Sequence, residues 1–252
     1  MEKLPVSGVV IAFNEADRIA RCVESLARVC QEVVVMDSGS TDDTARIAEG
    51  LGARVVQQTW LGFSAQKNAV IAQARFPWVL LLDSDEWLDD AAGAKIAALF
   101  AGGDIETADV WSLLRRTHYL GTALNHGGWG NEKVQRLFRS DLRYKEAAVH
   151  EALDTRGKRL KTLAARIEHV TARTDAEYAT KLSRYAALWA QQKRAAGRRA
   201  NVFSPWLHAF AYALKNYVLR GGFLDGGSAH RYHRLHTRYV FEKYRRLREA
   251  AA

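Results

Sequence analysis

The 252-residue chain has only two cysteines, Cys22 and Cys30. They lie eight apart in one predicted helix, which is neither a CxxC pair nor a zinc framework, so reduced thiols of a cytosolic protein are the expectation. Long apolar runs are also missing. No stretch approaches the roughly 18–20 apolar residues of a membrane span. Met1-Glu-Lys-Leu-Pro5 leads straight into a strand, so no secretory signal is expected. The first strand-to-helix turn, Phe13-Asn-Glu-Ala16, lacks the GxGxxG pattern, which disfavours a dinucleotide cofactor. Acid is scarce in the second half: Tyr178–Ala200 holds six Lys/Arg and no Asp/Glu.

The net charge of +9 therefore hides an asymmetry. Residues 1–110 carry 9 Lys/Arg against 17 Asp/Glu, and the rest carry 28 against 11. An acidic half suited to a cation is joined to a basic half suited to anions, with nucleic acid, phosphorylated sugars and an anionic membrane as candidate partners. Hydrophobic content of 48% is enough for a full core.

The first half alternates strand and helix. Val6–Phe13, Glu32–Met36, Ala53–Gln57 and Trp78–Leu82 read as strands, with helices over Glu15–Val29, from Thr41 or Asp42 to Leu51, and over Ser64–Arg75. Asn14 is the expected cap of the first helix, and Gly39 permits a turn with positive φ. Short strand–helix alternation implies right-handed crossovers and a parallel sheet. The run Trp78-Val-Leu-Leu-Leu82 reads as a buried strand closed by Asp83-Ser-Asp-Glu86. Ligands bind outside the carboxyl ends of such strands, and two carboxylates one residue apart are hard-oxygen ligands for a divalent cation. An ordinary acidic turn is the alternative.

Four stretches in order, Val9-Val-Ile-Ala-Phe-Asn-Glu15, Val33-Val-Val-Met-Asp-Ser-Gly-Ser-Thr-Asp-Asp-Thr44, Gln66-Lys-Asn68 and Leu80-Leu-Leu-Asp-Ser-Asp-Glu86, resemble the family 2 glycosyltransferases of the GT-A fold. The resemblance covers roughly residues 5–155. Gly127-Gly-Trp129, Arg136-Leu-Phe-Arg139, Val149-His-Glu151 and Arg220-Gly-Gly-Phe-Leu-Asp-Gly226 look like the branch that builds lipopolysaccharide core.

The resemblance implies transfer of a sugar from a nucleotide sugar, usually a UDP-sugar, with inversion at the anomeric carbon. It implies Mg²⁺ or Mn²⁺ held by Asp85, with Asp83 near the ribose and the metal and His150 as a third metal ligand or a diphosphate donor. Asp37 resembles the carboxylate that meets the base; otherwise it forms the turn before Ser38-Gly39. The backbone around Ala12–Asn14 would line the base and Glu15 close that pocket, unless Glu15 only meets a helix dipole. Lys67, next to Asn68, pairs with a phosphate or with Asp37, or is solvated. Trp60 is a sugar platform or a loop anchor. Arg136 and Arg139 meet phosphates or form salt bridges. Inverting transfer needs a general base, for which Glu151 is the choice and Glu132 the second.

The expected architecture is a GT-A Rossmann-like, mostly parallel sheet over residues 1–155 with a basic helical region over 156–252. In the latter, Ser204-Pro205 starts a helix with Trp206, Phe210, Leu214 and Tyr217 at helical spacing, ended by Gly221-Gly222. In a last helix from about His230 to Arg248, Tyr232, Leu235, Tyr239, Val240, Tyr244 and Leu247 share one side, with Arg231, Arg234, Arg238, Arg245 and Arg248 opposite. Such a helix either lies on an anionic membrane or packs its aromatics inward and leaves its arginines to solvent. No nucleic-acid motif is present.

The expected protein is thus a metal-dependent inverting enzyme peripheral to the cytoplasmic face of the inner membrane. Its acceptor would be a lipid-anchored saccharide, the lipopolysaccharide inner core. Polyprenyl-linked or peptide acceptors are alternatives, as is a non-catalytic basic module binding RNA or membrane.

Overall fold

A strand buried on both faces needs a continuous apolar run, and the chain opens with one. In the computed structural model, which describes residues 2–145 and 152–249, Leu4–Ala12 forms β1, with Val6, Val9 and Val10 fully buried. Helix α1 spans Ile19–Ala27 and buries Ile19, Cys22, Val23 and Leu26. There follow β2 (Cys30–Asp37), α2 (Thr44–Gly50), β3 (Arg54–Gln57), α3 (Phe63–Ile71), β4 (Trp78–Asp83) and β5 (Glu86–Leu88). Then come α4 (Asp90–Ala101), β6 (Val110–Tyr119), β7 (Thr122–Ala123), β8 (Glu132–Arg139) and β9 (Leu160–Val170). The chain ends in α5 (Asp175–Ala195), α6 (Ser204–Tyr212) and α7 (Gly226–Glu249).

The nine strands form one sheet in the order β3-β2-β1-β4-β8-β6-β9-β5, with β7 on β6. Pairs β1–β2, β1–β4 and β2–β3 are parallel, and β8 joins β4 antiparallel. A parallel N-terminal half with an antiparallel continuation, flanked by helices, is the arrangement that the GT-A resemblance implies.

Several local expectations are corrected. Helix α1 starts at Ile19, not at Glu15, and Asn14 does not cap it. Asn14 sits at φ 55°, and its side-chain Oδ1 accepts from Thr41 N at 2.8 Å. Helix α2 begins at Thr44 with Asp43 before it. Asp42 instead accepts from Thr44 N at 3.0 Å, an Asx-type turn that delays the helix. Residues 160–170, expected in a mostly helical stretch, are strand β9. Their alternation is masked because only the second half of the strand is buried.

The chain divides into two compact units, Met1–Arg115 with Lys133–His169, and Arg116–Glu132 with Val170–Ala252. The first has an aliphatic core on both faces of its sheet. The second is built on rings. Tyr178 and Tyr232 stack at 5.3 Å, and Tyr119 and Trp129 meet Tyr232 at 5.2 and 5.3 Å. Aromatic pairs add about 0.5–1.5 kcal/mol each beyond their burial. Thr174 caps α5 by accepting from Glu177 N, worth about 1 kcal/mol.

The two glycine motifs of the second unit meet each other. Gly127 N donates to Arg220 O at 2.9 Å, and His126 N donates to Asp225 Oδ2 at 2.8 Å. A Cβ at Gly127 would stand 2.5 Å from His233 Nε2, and one at Gly222 2.4 Å from the same atom. Neither position therefore admits a side chain without moving that imidazole.

In α7 the inward side is Ala229, Tyr232, His233, His236 and Leu247. The basic side is partly neutralised, since Arg231 pairs with Asp175 and Arg245 with Glu242 and Glu249. Helix α6 also departs from expectation. Phe203 precedes it in the cap position, and Pro205 and Ala209 are its buried residues, while Trp206 and Phe210 face outward. Small residues let α6 pack closely, which leaves its large ones outside. No helix among the described residues is long and apolar enough to cross a membrane.

Candidate active site

Three parallel strands end together in the first unit. Ala12 on β1 is in register with Asp37 on β2, and Ile11 with Asp83 on β4. The carboxyl ends of β1, β2 and β4 thus gather Ala12, Asp37 and Asp83, the place where open α/β sheets bind ligands. The loops above them interlock. Asn14 N donates to Ser40 Oγ at 2.9 Å, Glu15 N to Thr44 Oγ1 at 2.7 Å, and Ser38 N to Ala12 O at 2.9 Å.

Asp37 is almost fully buried. Its carboxylate accepts from Gly39 N at 3.1 Å, Ser40 N at 2.9 Å and the Ser40 hydroxyl, so it organises the 37–40 turn, in which Gly39 has a φ of 87°. Glu15 pairs with Arg18 at 2.5 Å. Asn68 places both amide atoms on the backbone of Tyr144, donating to its carbonyl at 2.9 Å and accepting from its N–H at 2.7 Å. Trp60 is half-exposed and edge-on to Phe63 at 4.8 Å.

The acidic tetrad sits on a buried ionic network. Lys67 Nζ lies 3.1 Å from Asp83 Oδ1, and Arg136 Nη2 lies 2.6 Å from Asp83 Oδ2. Lys67 thus pairs with Asp83, a partner the sequence reading did not name. The same Arg136 nitrogen is 2.7 Å from Glu86 Oε1, which also receives Arg115 at 3.2 Å, while Glu86 Oε2 accepts from Asp83 N at 3.1 Å. Burial by itself raises the Asp83 carboxyl, but Arg136 and Lys67 outweigh it and hold that group well below the usual carboxylate range. Below the turn, the Cys22 thiol donates to Asp83 O at 3.5 Å; burial, then the nearby Glu86, Asp85 and Asp83 charges, push it well above its ordinary value. It is an inert structural thiol.

Asp85 has an imidazole beside it: His169 Nε2 stands 3.5 Å from Asp85 Oδ2, and His169 Nδ1 is buried with no hydrogen-bond partner. Strand pairing makes the contact, since Glu86 on β5 is in register with His169 on β9. His150 and Glu151 lie outside the described residues. Glu132 opens β8 and belongs to the second unit. Arg139 pairs with Glu106 and stands over the Trp78 ring at 4.2 Å.

Glu86, Arg115 and His169 were not singled out as site residues. Glu86 could have been suspected from its place in the tetrad. Arg115 and His169 come from β6 and β9, and only the strand order brings them near.

Among the described residues no group of three or more His, Cys, Asp and Glu is arranged to hold a metal. A divalent cation that relies on substrate phosphates needs only one or two carboxylates. Asp85, with Asp83 next but one, fits that requirement, and His169, whose Nε2 already faces Asp85, adds a ring that Mn²⁺ accepts.

Residues 7–143 match the family pattern described as "Glycosyl transferase family 2". Over 234 residues the chain is 30% identical to the lipopolysaccharide core biosynthesis glycosyltransferase LpsC of Rhizobium meliloti (strain 1021), covering 87% of this chain and 84% of that protein. Over 101 residues it is 44% identical to an uncharacterized glycosyltransferase of Rickettsia felis, covering 40% of this chain and 35% of that one. Among solved structures, S. aureus TarS aligns at 19% identity with a TM-score of 0.48, over 73% of this chain and 39% of that one. Glucosyl-3-phosphoglycerate synthase from Mycobacterium tuberculosis, solved with Mn²⁺, uridine diphosphate and glucosyl-3-phosphoglycerate, aligns at 27% identity with a TM-score of 0.37, over 44% of each chain.

Proposed function

The chain belongs to glycosyltransferase family 2, and on that premise we propose that it moves a sugar from a nucleoside-diphosphate sugar, a UDP-sugar by preference, to a lipid-anchored saccharide with inversion at the anomeric carbon. The observation that carries the proposal is the placing of Asp37 and Asp83 at the carboxyl ends of β2 and β4, on either side of β1, with Asp85 in the turn after β4 and Lys67 and Arg136 gripping Asp83. The similarity to a lipopolysaccharide core enzyme over most of both chains supports the acceptor class. It also supports a place of work at the cytoplasmic face of the inner membrane, where such an acceptor would be met.

In this reading the backbone from Ala12 to Asn14 lines the base, and Asp37 Oδ1 keeps a lone pair for a base N–H. Glu15, locked to Arg18, shapes the edge of that pocket. Asn68 acts by fixing Tyr144, whose ring lies 5.4 Å from Lys67 Nζ. Asp85 would hold the Mg²⁺ or Mn²⁺, with Asp83, His169 and His150 as the further candidates to hold it. The cation would neutralise charge on the departing diphosphate. Lys67 and Arg136 keep Asp83 ionised and oriented, so the acidic turn needs little rearrangement when donor arrives. Glu151 takes the proton of the acceptor hydroxyl, with Glu132 as second candidate.

The test is hydrolysis of a panel of UDP-sugars with Mg²⁺ or Mn²⁺. Release of UDP that stops on chelation and in Asp85→Asn, with the circular dichroism spectrum unchanged, is the expected result. Equal UDP affinity by calorimetry with and without EDTA would remove the metal from the proposal.

A further inference from the structure

The second unit carries a face that its own fold leaves uncovered. Phe203, Leu207, Phe210 and Leu214 recur at i, i+4, i+7 and i+11, which puts them on one side of α6 and its continuation. Phe203 is 73% exposed, Leu207 63% and Phe210 64%, and Trp206 beside them is 69% exposed. The π-helical turn Ala213–Leu219 and the 3-10 turn Gly222–Asp225 continue the face with Val218, Leu219, Phe223 and Leu224, all exposed. A single exposed leucine means nothing, but a contiguous set of this size marks an interaction surface.

Charge identifies the occupant. From 178 to 224 the chain holds eight Lys/Arg and no Asp/Glu. Arg198 and Arg199 precede the apolar set, Lys215 lies within it and Arg220 follows it, all exposed. The acid that ends the stretch, Asp225, is nearly buried and bound by His126 at 2.6 Å. A protein partner with an apolar groove would not need a rim of one sign. An anionic bilayer does, because basic side chains meet phosphates while aromatic and aliphatic ones enter the acyl boundary.

We propose that the exposed face from Phe203 to Leu224 seats this protein on an anionic lipid bilayer. The sequence pattern had suggested Arg231, Arg234, Arg238, Arg245 and Arg248 of α7 for that contact, and of these Arg231 and Arg245 are held by acids. The proposal deepens the lipid-anchored part of the proposed function and rests on it for its purpose. Its test reads binding rather than turnover, so the two fail separately.

The full chain is floated with vesicles of phosphatidylethanolamine and phosphatidylglycerol, and with vesicles of phosphatidylcholine alone. Wild type should float with the first and weakly with the second. Raising salt should reduce but not abolish flotation, because screening to about 3 Å at 1 M removes the ionic part only. Phe203→Gln, Leu207→Gln and Phe210→Gln combined should weaken partition about tenfold or more, with an unchanged melting temperature and unchanged nucleotide-sugar hydrolysis. Arg198→Gln with Arg199→Gln should reduce the preference for the anionic vesicles. Brominated lipids should quench fluorescence in wild type and much less in Trp206→Phe. Flotation of the triple variant equal to wild type would overturn the proposal. So would a wild type that never floats, or a wild-type dimer that the triple variant splits with no change in flotation.

Discussion

Arg136 Nη2 stands 2.7 Å from Glu86 Oε1, a carboxylate with no solvent access. The pair is the lower support of the acidic turn, because Glu86 also holds the N–H of Asp83. Arg136→Met would leave Glu86 with Arg115 as its remaining cation. Loss of one partner from a buried pair costs about 3–5 kcal/mol. The expected outcome is a large drop in the urea midpoint, partly recovered in Arg136→Met with Glu86→Gln, where the fully buried position 86 no longer carries a charge.

His169 should matter to the metal more than to the fold. If it acts on the cation or orients Asp85, His169→Ala should weaken Mn²⁺ binding in the presence of UDP by about 10–100-fold, the range for supporting groups of a metal site. Electron paramagnetic titration of free Mn²⁺ measures it. An unchanged affinity would return His169 to a packing role.

Two glutamates compete for the proton of the acceptor. Glu151→Gln should lower kcat by about 10²–10⁴ while UDP binding stays near wild type. A nearly wild-type Glu151→Gln beside a dead Glu132→Gln would transfer the role to Glu132.

The aromatic core of the second unit should make the protein acid-sensitive. Burial, then the charges of His233 and Lys243, lower the His236 imidazole to about 3, and the Tyr178 hydroxyl is 3.2 Å from its Nδ1. His236 therefore stays neutral in the fold and takes up a proton on unfolding. Its contribution is complete above about 6.5 and is lost as pH falls from there toward 3, by up to about 1.4 kcal/mol per pH unit. Denaturant midpoints between pH 7 and pH 4 should fall in wild type and flatten in His236→Gln.

The strands that build the nucleotide end were legible because burial on both faces forces unbroken apolar runs, as in Val33–Met36 and Leu80–Leu82. Helix starts were less so. Asn14 and Asp42 have capping side chains, yet each bonds a neighbouring loop or its own turn, a choice that depends on the paired strand ends. Lys67 looked like a partner for phosphate or Asp37, and only the packing of α3 on β1, whose sheet neighbour is β4, turns it to Asp83. Strand β9 was hidden because its first residues are exposed, so the apolar alternation shows only in its second half. The helical spacing of Trp206 and Phe210 was readable, but not its direction, since Pro205 and Ala209 take the inward side.

The second unit is assembled from two stretches of chain, Arg116–Glu132 and Val170–Ala252, with strands of the other unit running between them. Tyr119 and Trp129 come from the first stretch, Tyr178 and Tyr232 from the other, and their rings form one cluster. A fragment cut at residue 156 would lose half of that cluster and should not fold. Recombination between relatives faces the same constraint. A single crossover would separate rings that must be inherited together, so a chimaera that exchanges this unit has to graft both stretches at once.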